Sequence, residues 1–218
     1  MENVELDYID IVPDVVNNVM ILLHGYGSSA DDLIPVALSL RSLLPTTAFI
    51  FVNAPIPCEK GTGGYQWFSL KTMNLFTILK EIKKSYMTLN KFIDKQLDRF
   101  KLTNEYLIIG GFSQGAMMTL YTGPRRLEVP MGLIAFSGMM PDTMETISKE
   151  IKVRPETCLI HGTADAVVPY ASMGQAEELL KELDIPYEAF TVEEMGHEIN
   201  DEALEYAKEF ITKICNKY

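Results

Sequence analysis

Tyr106-Leu107-Ile108-Ile109-Gly110-Gly111-Phe112-Ser113-Gln114-Gly115-Ala116-Met117-Met118-Thr119-Leu120 decides how this chain folds. An apolar run of strand length meets a serine flanked by glycines at minus two and plus two, and helix-forming residues follow at once. A strand, a tight turn and a helix with serine at the apex make a nucleophile elbow. The turn is so tight that bulkier neighbours would collide, and the strained backbone lifts the serine Oγ above the sheet edge. The helix that follows aims its N-terminal N–H groups at the same point. A serine acting only as an N-cap would account for the helix start but not for both glycines.

Outward from the elbow, apolar runs of strand length recur at Val19–Leu23, Ala48–Val52, Leu133–Phe136 and Thr157–Ile160, with a weaker one at Glu188–Val192. Between them lie segments with helical spacing. The clearest places Leu79, Ile82, Tyr86, Leu89, Ile93, Leu97 and Phe100 on one stripe of a helix over about 73–101. Further helices are expected over about Ser172–Leu183 and Glu202–Cys215. Strands that are apolar on both faces and alternate with helices predict a mostly parallel sheet covered by helices on both sides. The first 18 residues alternate as an exposed strand does (Val4, Leu6, Tyr8), which predicts an antiparallel edge. No repeat, low-complexity tract or linker interrupts the pattern, so 1–218 reads as a single α/β domain.

Composition narrows the function. The formal net charge of −11 argues against nucleic acid as a partner, because phosphate binding needs a basic surface. Between Lys71 and Lys101 eight basic residues face only three acidic ones; that stretch is either a patch toward something anionic or a solvated helix face. Cys58, Cys158 and Cys215 are an odd count without CxxC spacing, so they build neither a disulfide framework nor a zinc site. Cys158 reads as a buried small residue. The N-terminus is acidic where a signal peptide would be basic and then apolar. No apolar run approaches the ~20 residues of a membrane span. The expected location is cytoplasmic.

A serine hydroxyl needs a base, and the chain has three histidines. His24 and His161 each close a strand and precede glycine, as loop-anchoring histidines do. Sheets with an elbow present nucleophile, acid and histidine in that chain order, which selects His197. The acid must then lie between the two, at the carboxyl end of a strand. Asp165, in His161-Gly162-Thr163-Ala164-Asp165, is preferred over Asp142, which also follows a strand; Glu177, Glu178 and Glu182 fall on an exposed helix face. For the oxyanion, one donor is the Gln114 backbone N–H fixed by the elbow. The second is expected from His24-Gly25-Tyr26-Gly27, through the Tyr26 N–H. Trp67 and Phe68 are either a substrate wall or core packing, and Met139 and Met140 either shape an apolar pocket or fill the core. Gly61-Thr62-Gly63-Gly64 lacks the Gly-Lys-Ser/Thr of a phosphate loop, and no metal motif occurs.

These residues resemble the phospholipase/carboxylesterase family that includes the acyl-protein thioesterases. The likeness rests on Leu22-Leu23-His24-Gly25-Tyr26-Gly27, Asn53-Ala54-Pro55, Trp67-Phe68, Gly110 to Ala116, Ser137-Gly138, His161-Gly162-Thr163-Ala164-Asp165 with Val168-Pro169, and Gly196-His197. It implies an α/β-hydrolase fold, a Ser113–Asp165–His197 triad with Tyr26 and Gln114 amides as oxyanion donors, and a cofactor-free esterase. Its substrates would be carboxylic esters, extending to acyl thioesters, lysophospholipids or an acylated protein. Tyr26 departs from the leucine that many members carry. Two other readings stay open: a catalytically silent binding module, and a hydrolase of another acyl bond such as a peptidase. The interval between the strands ending near Ser137 and beginning near Thr157 is too short for a cap domain, so the site is expected to be an open groove without a lid.

Overall fold

The computed structural model describes residues 5–61, 63–71 and 75–217. Nine strands and six helices alternate along them: β1 (Tyr8–Ile11), β2 (Asn18–Leu23), α1 (Ile34–Leu40), β3 (Thr47–Val52), β4 (Ile56–Pro57), β5 (Tyr65–Gln66), α2 (Leu75–Phe100), β6 (Leu107–Phe112), α3 (Gln114–Thr122), β7 (Gly132–Phe136), α4 (Met144–Glu150), β8 (Thr157–Gly162), α5 (Ala171–Glu182), β9 (Tyr187–Val192) and α6 (Asp201–Cys215). Seven strands form one sheet in the order β1-β3-β2-β6-β7-β8-β9, and β4 and β5 form a separate hairpin. Only β1 runs antiparallel, pairing Tyr8 with Val52 and Ile11 with Phe49 at the edge. The expected edge strand is therefore present, although Val4 lies outside the described residues.

The two-faced apolar strands follow from a period of two. On β2, Met20 and Leu22 pack with Val36, Ala37 and Leu40 of α1 and with Ala207, Phe210 and Ile214 of α6. Their neighbours Val19, Ile21 and Leu23 pack on the opposite side with Ile82, Leu89, Ile93 and Leu97 of α2. A third cluster seats Ala116 and Leu120 of α3 and Met173, Ala176 and Leu180 of α5 beside Ala135 and Leu159. Cys158 is fully buried in the first cluster, as its apolar surroundings suggested. Helix α1, which apolar spacing did not single out, begins with Pro35 in its first turn, where the missing N–H costs nothing.

The basic stretch falls on α2. Lys83 pairs with Glu150 at 2.8 Å and Lys95 pairs with Glu5. Between β7 and β8 the chain holds only α4, so the sheet edge above the elbow carries no inserted domain. Among the described residues no helix is long and apolar enough to cross a membrane.

Candidate active site

Ser113 occupies the turn between β6 and α3 with φ 54° and ψ −115°. A side chain rarely tolerates that backbone, and such strain costs of order 1–3 kcal/mol. Two tethers hold it: Ser113 N donates to Phe136 O at 2.9 Å, and Met117 N donates to Ser113 O at 3.1 Å. The flanking glycines are obligatory. A Cβ on Gly111 would sit 2.3 Å from the Gly115 backbone, and one on Gly115 would sit 1.9 Å from Leu23 O.

His197 Nε2 lies 2.9 Å from Ser113 Oγ, and His197 Nδ1 lies 2.7 Å from Asp165 Oδ2. The other carboxylate oxygen, Oδ1, accepts from Val167 N at 2.8 Å and Val168 N at 2.9 Å. Burial pushes the Asp165 carboxyl up, but the His197 bond and the two amides outweigh it and hold the group below its ordinary value. A carboxylate only accepts hydrogen bonds, so the Nδ1 of His197 carries the hydrogen. That leaves Nε2 with a lone pair aimed at the serine hydroxyl. The Phe112 ring, 4.8 Å from the imidazole between centroids, packs against it.

The remaining histidines are anchors. His24 Nε2 accepts from Ala54 N at 3.0 Å, so its Nδ1–H donates to Gly25 O at 2.7 Å, tying the ends of β2 and β3 together. Burial lowers its pKa. His161 Nε2 donates to Val168 O at 2.9 Å and lies 3.3 Å from Asp165 Oδ2, bracing the loop that carries the acid. The rival acid Asp142 is elsewhere engaged: its fully buried carboxylate meets Arg125 Nη2 at 2.5 Å and accepts from Thr143 N.

Tyr26 and Gln114 both border the cavity above Ser113. Gln114 is the first residue of α3, where helix N–H groups have no intrahelical acceptor. Gly25 brings the other loop close, since a Cβ there would lie 3.3 Å from Ser113 Cβ. The cavity measures about 770 Å³, within the usual range for small-molecule sites of about 300–1,000 Å³. Its walls are mostly apolar: Leu33 and Val36 near α1, Leu70, Met117, Met139, and Val167 beside the acid.

Two of the open alternatives close against the substrate reading. Trp67 and Phe68 are fully buried in the core beneath the elbow and do not line the cavity. Trp67 Nε1 donates to His24 O at 3.0 Å, because an indole N–H taken out of water must find an acceptor. Met140 is likewise core, packed in the cluster around α5, while Met139, 37 % exposed, does face the cavity. The α1 wall went unread, although Pro35 opening a helix was an available signal. Also unread was the Gln114 side chain. Its Oε1 accepts from Trp67 N at 2.7 Å and its Nε2 donates to Phe68 O at 2.8 Å, which locks the 67–68 segment under the elbow. Among the described residues no group of three or more His, Cys, Asp or Glu is placed to hold a metal ion.

Residues 9–215 match the phospholipase/carboxylesterase family along nearly the whole chain. The chain belongs to that family. Acyl-protein thioesterase 1 homolog 1 of Dictyostelium discoideum is 29 % identical over 205 residues, covering 91 % of each chain. Acyl-protein thioesterase 1 of Candida albicans is 30 % identical over 213 residues, covering 91 % of this chain and 92 % of the relative. Among solved structures, esterase PE8 superimposes with a TM-score of 0.91 at 33 % identity, covering 97 % of this chain and all of that one. A Bacillus cereus carboxylesterase, at 18 % identity and a TM-score of 0.80 over 98 % of this chain, shares the fold. This phospholipase/carboxylesterase family member is an α/β-hydrolase and a serine hydrolase of the esterase/thioesterase type.

Proposed function

We propose that this enzyme hydrolyses carboxylic esters and thioesters of apolar acyl groups through an acyl-enzyme on Ser113. In this reading Ser113 Oγ attacks the carbonyl carbon while His197 Nε2 takes its proton. Asp165 holds the imidazole in the required tautomer and stabilises the imidazolium. The oxyanion that forms accepts from the Tyr26 and Gln114 amides, each donor worth about 2.7–4 kcal/mol in such sites. His197 then returns its proton to the leaving alcohol or thiol, and water repeats the sequence to release the acid. The observation that carries the proposal is the continuous chain Ser113 Oγ, His197 Nε2, His197 Nδ1, Asp165 Oδ2, with spacings of 2.9 and 2.7 Å. No step calls for a cofactor.

The apolar cavity walls support an acyl chain as the recognised part, at about 0.8 kcal/mol for each methylene buried. Relatives carry the name acyl-protein thioesterase 1 or its homolog, and an acylated protein or a lysolipid would present such an acyl chain. A cytoplasmic location belongs to this reading. Fluorophosphonate labelling, followed by rates on matched ester, thioester and lysophospholipid series, tests it. Labelling that maps to Ser113, with rates rising along the acyl series, is expected; absence of labelling in folded protein would leave a silent binding module instead.

A further inference from the structure

Tyr26 sits between Gly25 and Gly27, and Gly27 has φ +78°. Flanking glycines leave the direction of the Tyr26 amide weakly held by local backbone preference. Other parts of the chain hold it. Gly27 N donates to Tyr65 O at 2.8 Å, and Tyr65 N returns a bond to Ser28 O at 2.8 Å, so β5 zips onto the far side of the loop. Gly64 allows that approach, since a Cβ there would lie 2.2 Å from Gly27 O. The carbonyl of the same peptide unit, Gly25 O, accepts from His24 Nδ1 at 2.7 Å and from Ser28 N at 3.3 Å, and the Tyr26 side chain supplies a further tether.

That tether ends on Glu59, in the turn between β4 and β5. Glu59 Oε1 accepts from Tyr26 Oη at 3.0 Å and from Leu70 N at 3.0 Å. Its Oε2 accepts from Ser69 Oγ at 2.6 Å, and the Glu59 N–H donates to Gln66 Oε1 at 2.9 Å. The carboxylate is only 12 % exposed, with Lys71 Nζ 3.8 Å away, and Lys60 Nζ stands 5.2 Å from the Tyr26 ring centroid. One side chain therefore joins the loop above the nucleophile to the Leu70 wall of the cavity. None of the catalytic steps uses it.

We propose that Glu59 is a positioning residue that, through the Tyr26 hydroxyl, aims the Tyr26 amide at the reaction centre. This rests on the esterase reading, which makes that amide an oxyanion donor. The Ser69 hydroxyl first, then the Leu70 amide and Tyr26 hydroxyl, outweigh the burial that opposes them and lower the Glu59 carboxyl to about 2. The acceptor is thus charged wherever the enzyme works. An oxyanion donor acts on every substrate and chiefly in the transition state, whereas a cavity wall acts according to acyl length. The two roles separate in kinetics.

The test compares Tyr26→Phe, Glu59→Gln and the double variant on p-nitrophenyl acetate, butyrate and decanoate, with thermal unfolding of each. Tyr26→Phe is expected to lower kcat about 10-fold on all three esters with KM within about 2-fold, a fraction of the 10²–10³ lost with a whole donor. Glu59→Gln is expected to lose at least as much, and the double variant no more than Glu59→Gln alone, because the pair acts as one unit. Unchanged kcat with lowered thermal stability would make the cluster merely structural and overturn the proposal. A loss confined to KM on decanoate would overturn it too, leaving Glu59 a support for Leu70 only. Tyr26→Phe removes a single oxygen and carries the test should Glu59→Gln fail to fold. Wild-type protein that turns over no ester would overturn the esterase reading and this proposal together; an active wild type with the contrary variants overturns this one alone.

Discussion

Asp165→Asn exchanges one oxygen for an NH2 group, and the surroundings of that carboxylate dictate where the NH2 must go. Oδ1 faces the Val167 and Val168 amides, which only donate. Oδ2 faces His197 Nδ1 at 2.7 Å and His161 Nε2 at 3.3 Å. An NH2 toward the amides would set donors against two donors that cannot change. An NH2 toward the histidines is cheaper, because His197 can switch tautomer: Nδ1 then accepts, and Nε2 carries the hydrogen and points it at Ser113. The base is lost while the backbone stays in place. A wrong tautomer lowers turnover about 10⁴-fold, or ~5.5 kcal/mol of transition-state stabilisation at about 1.36 kcal/mol per decade. The folded state loses one charge-assisted bond and gains one poor contact with His161, a cost of about 2 kcal/mol. For a chain of this size that lowers Tm by about 4–8 °C. The assay is steady-state hydrolysis of p-nitrophenyl butyrate beside a thermal melt. A variant within 10-fold of wild type would refute the tautomer argument. So would Asp142→Asn costing as much kcat, since breaking its buried pair with Arg125 is expected to cost stability, about 3 kcal/mol, and leave turnover within several-fold.

Ser113→Ala should abolish turnover and fluorophosphonate labelling. Ser113→Gly should be equally inactive yet about 1 kcal/mol more stable than the alanine variant in urea, because glycine accepts φ 54° without strain at some entropic cost. Gly115→Ala should give an inactive, poorly folding protein by circular dichroism, since its Cβ would lie 1.9 Å from the Leu23 carbonyl. The Asp165 carboxyl is held below its ordinary value near 3.8, so its contribution to stability is full above that value and lost as pH falls through the lower folded one; Asp165→Asn should flatten that part of an acid-unfolding curve. With only α4 between β7 and β8, rates on an ester series should level off with acyl length and show no jump at the critical micelle concentration, where a lidded enzyme would show one.

The elbow was legible in the sequence because its chemistry is local: Gly111, Ser113 and Gly115 satisfy a steric demand within five residues. His197 and Asp165 were reached by elimination among few candidates and by their order, and the strands by apolar runs whose alternate residues feed the two faces, as Met20 and Ile21 do. The α2 stripe was equally readable, since Ile82, Leu89, Ile93 and Leu97 repeat at helical spacing. Trp67, Phe68 and Met140 were not decidable, because an aromatic or a methionine suits a core and a substrate wall alike. Only packing showed that Trp67 ends on the His24 carbonyl and that Met139 faces the cavity while Met140 turns away. Glu59 gave no signal at all in the sequence, one carboxylate among 30 acidic residues. Its meeting with Tyr26 and Leu70 depends on a hairpin folding back over a loop more than thirty positions away. Short-range sterics and periodicity are written in adjacent residues, whereas the partner of a hydrogen bond is chosen by whichever distant segment the packed sheet brings within 3 Å.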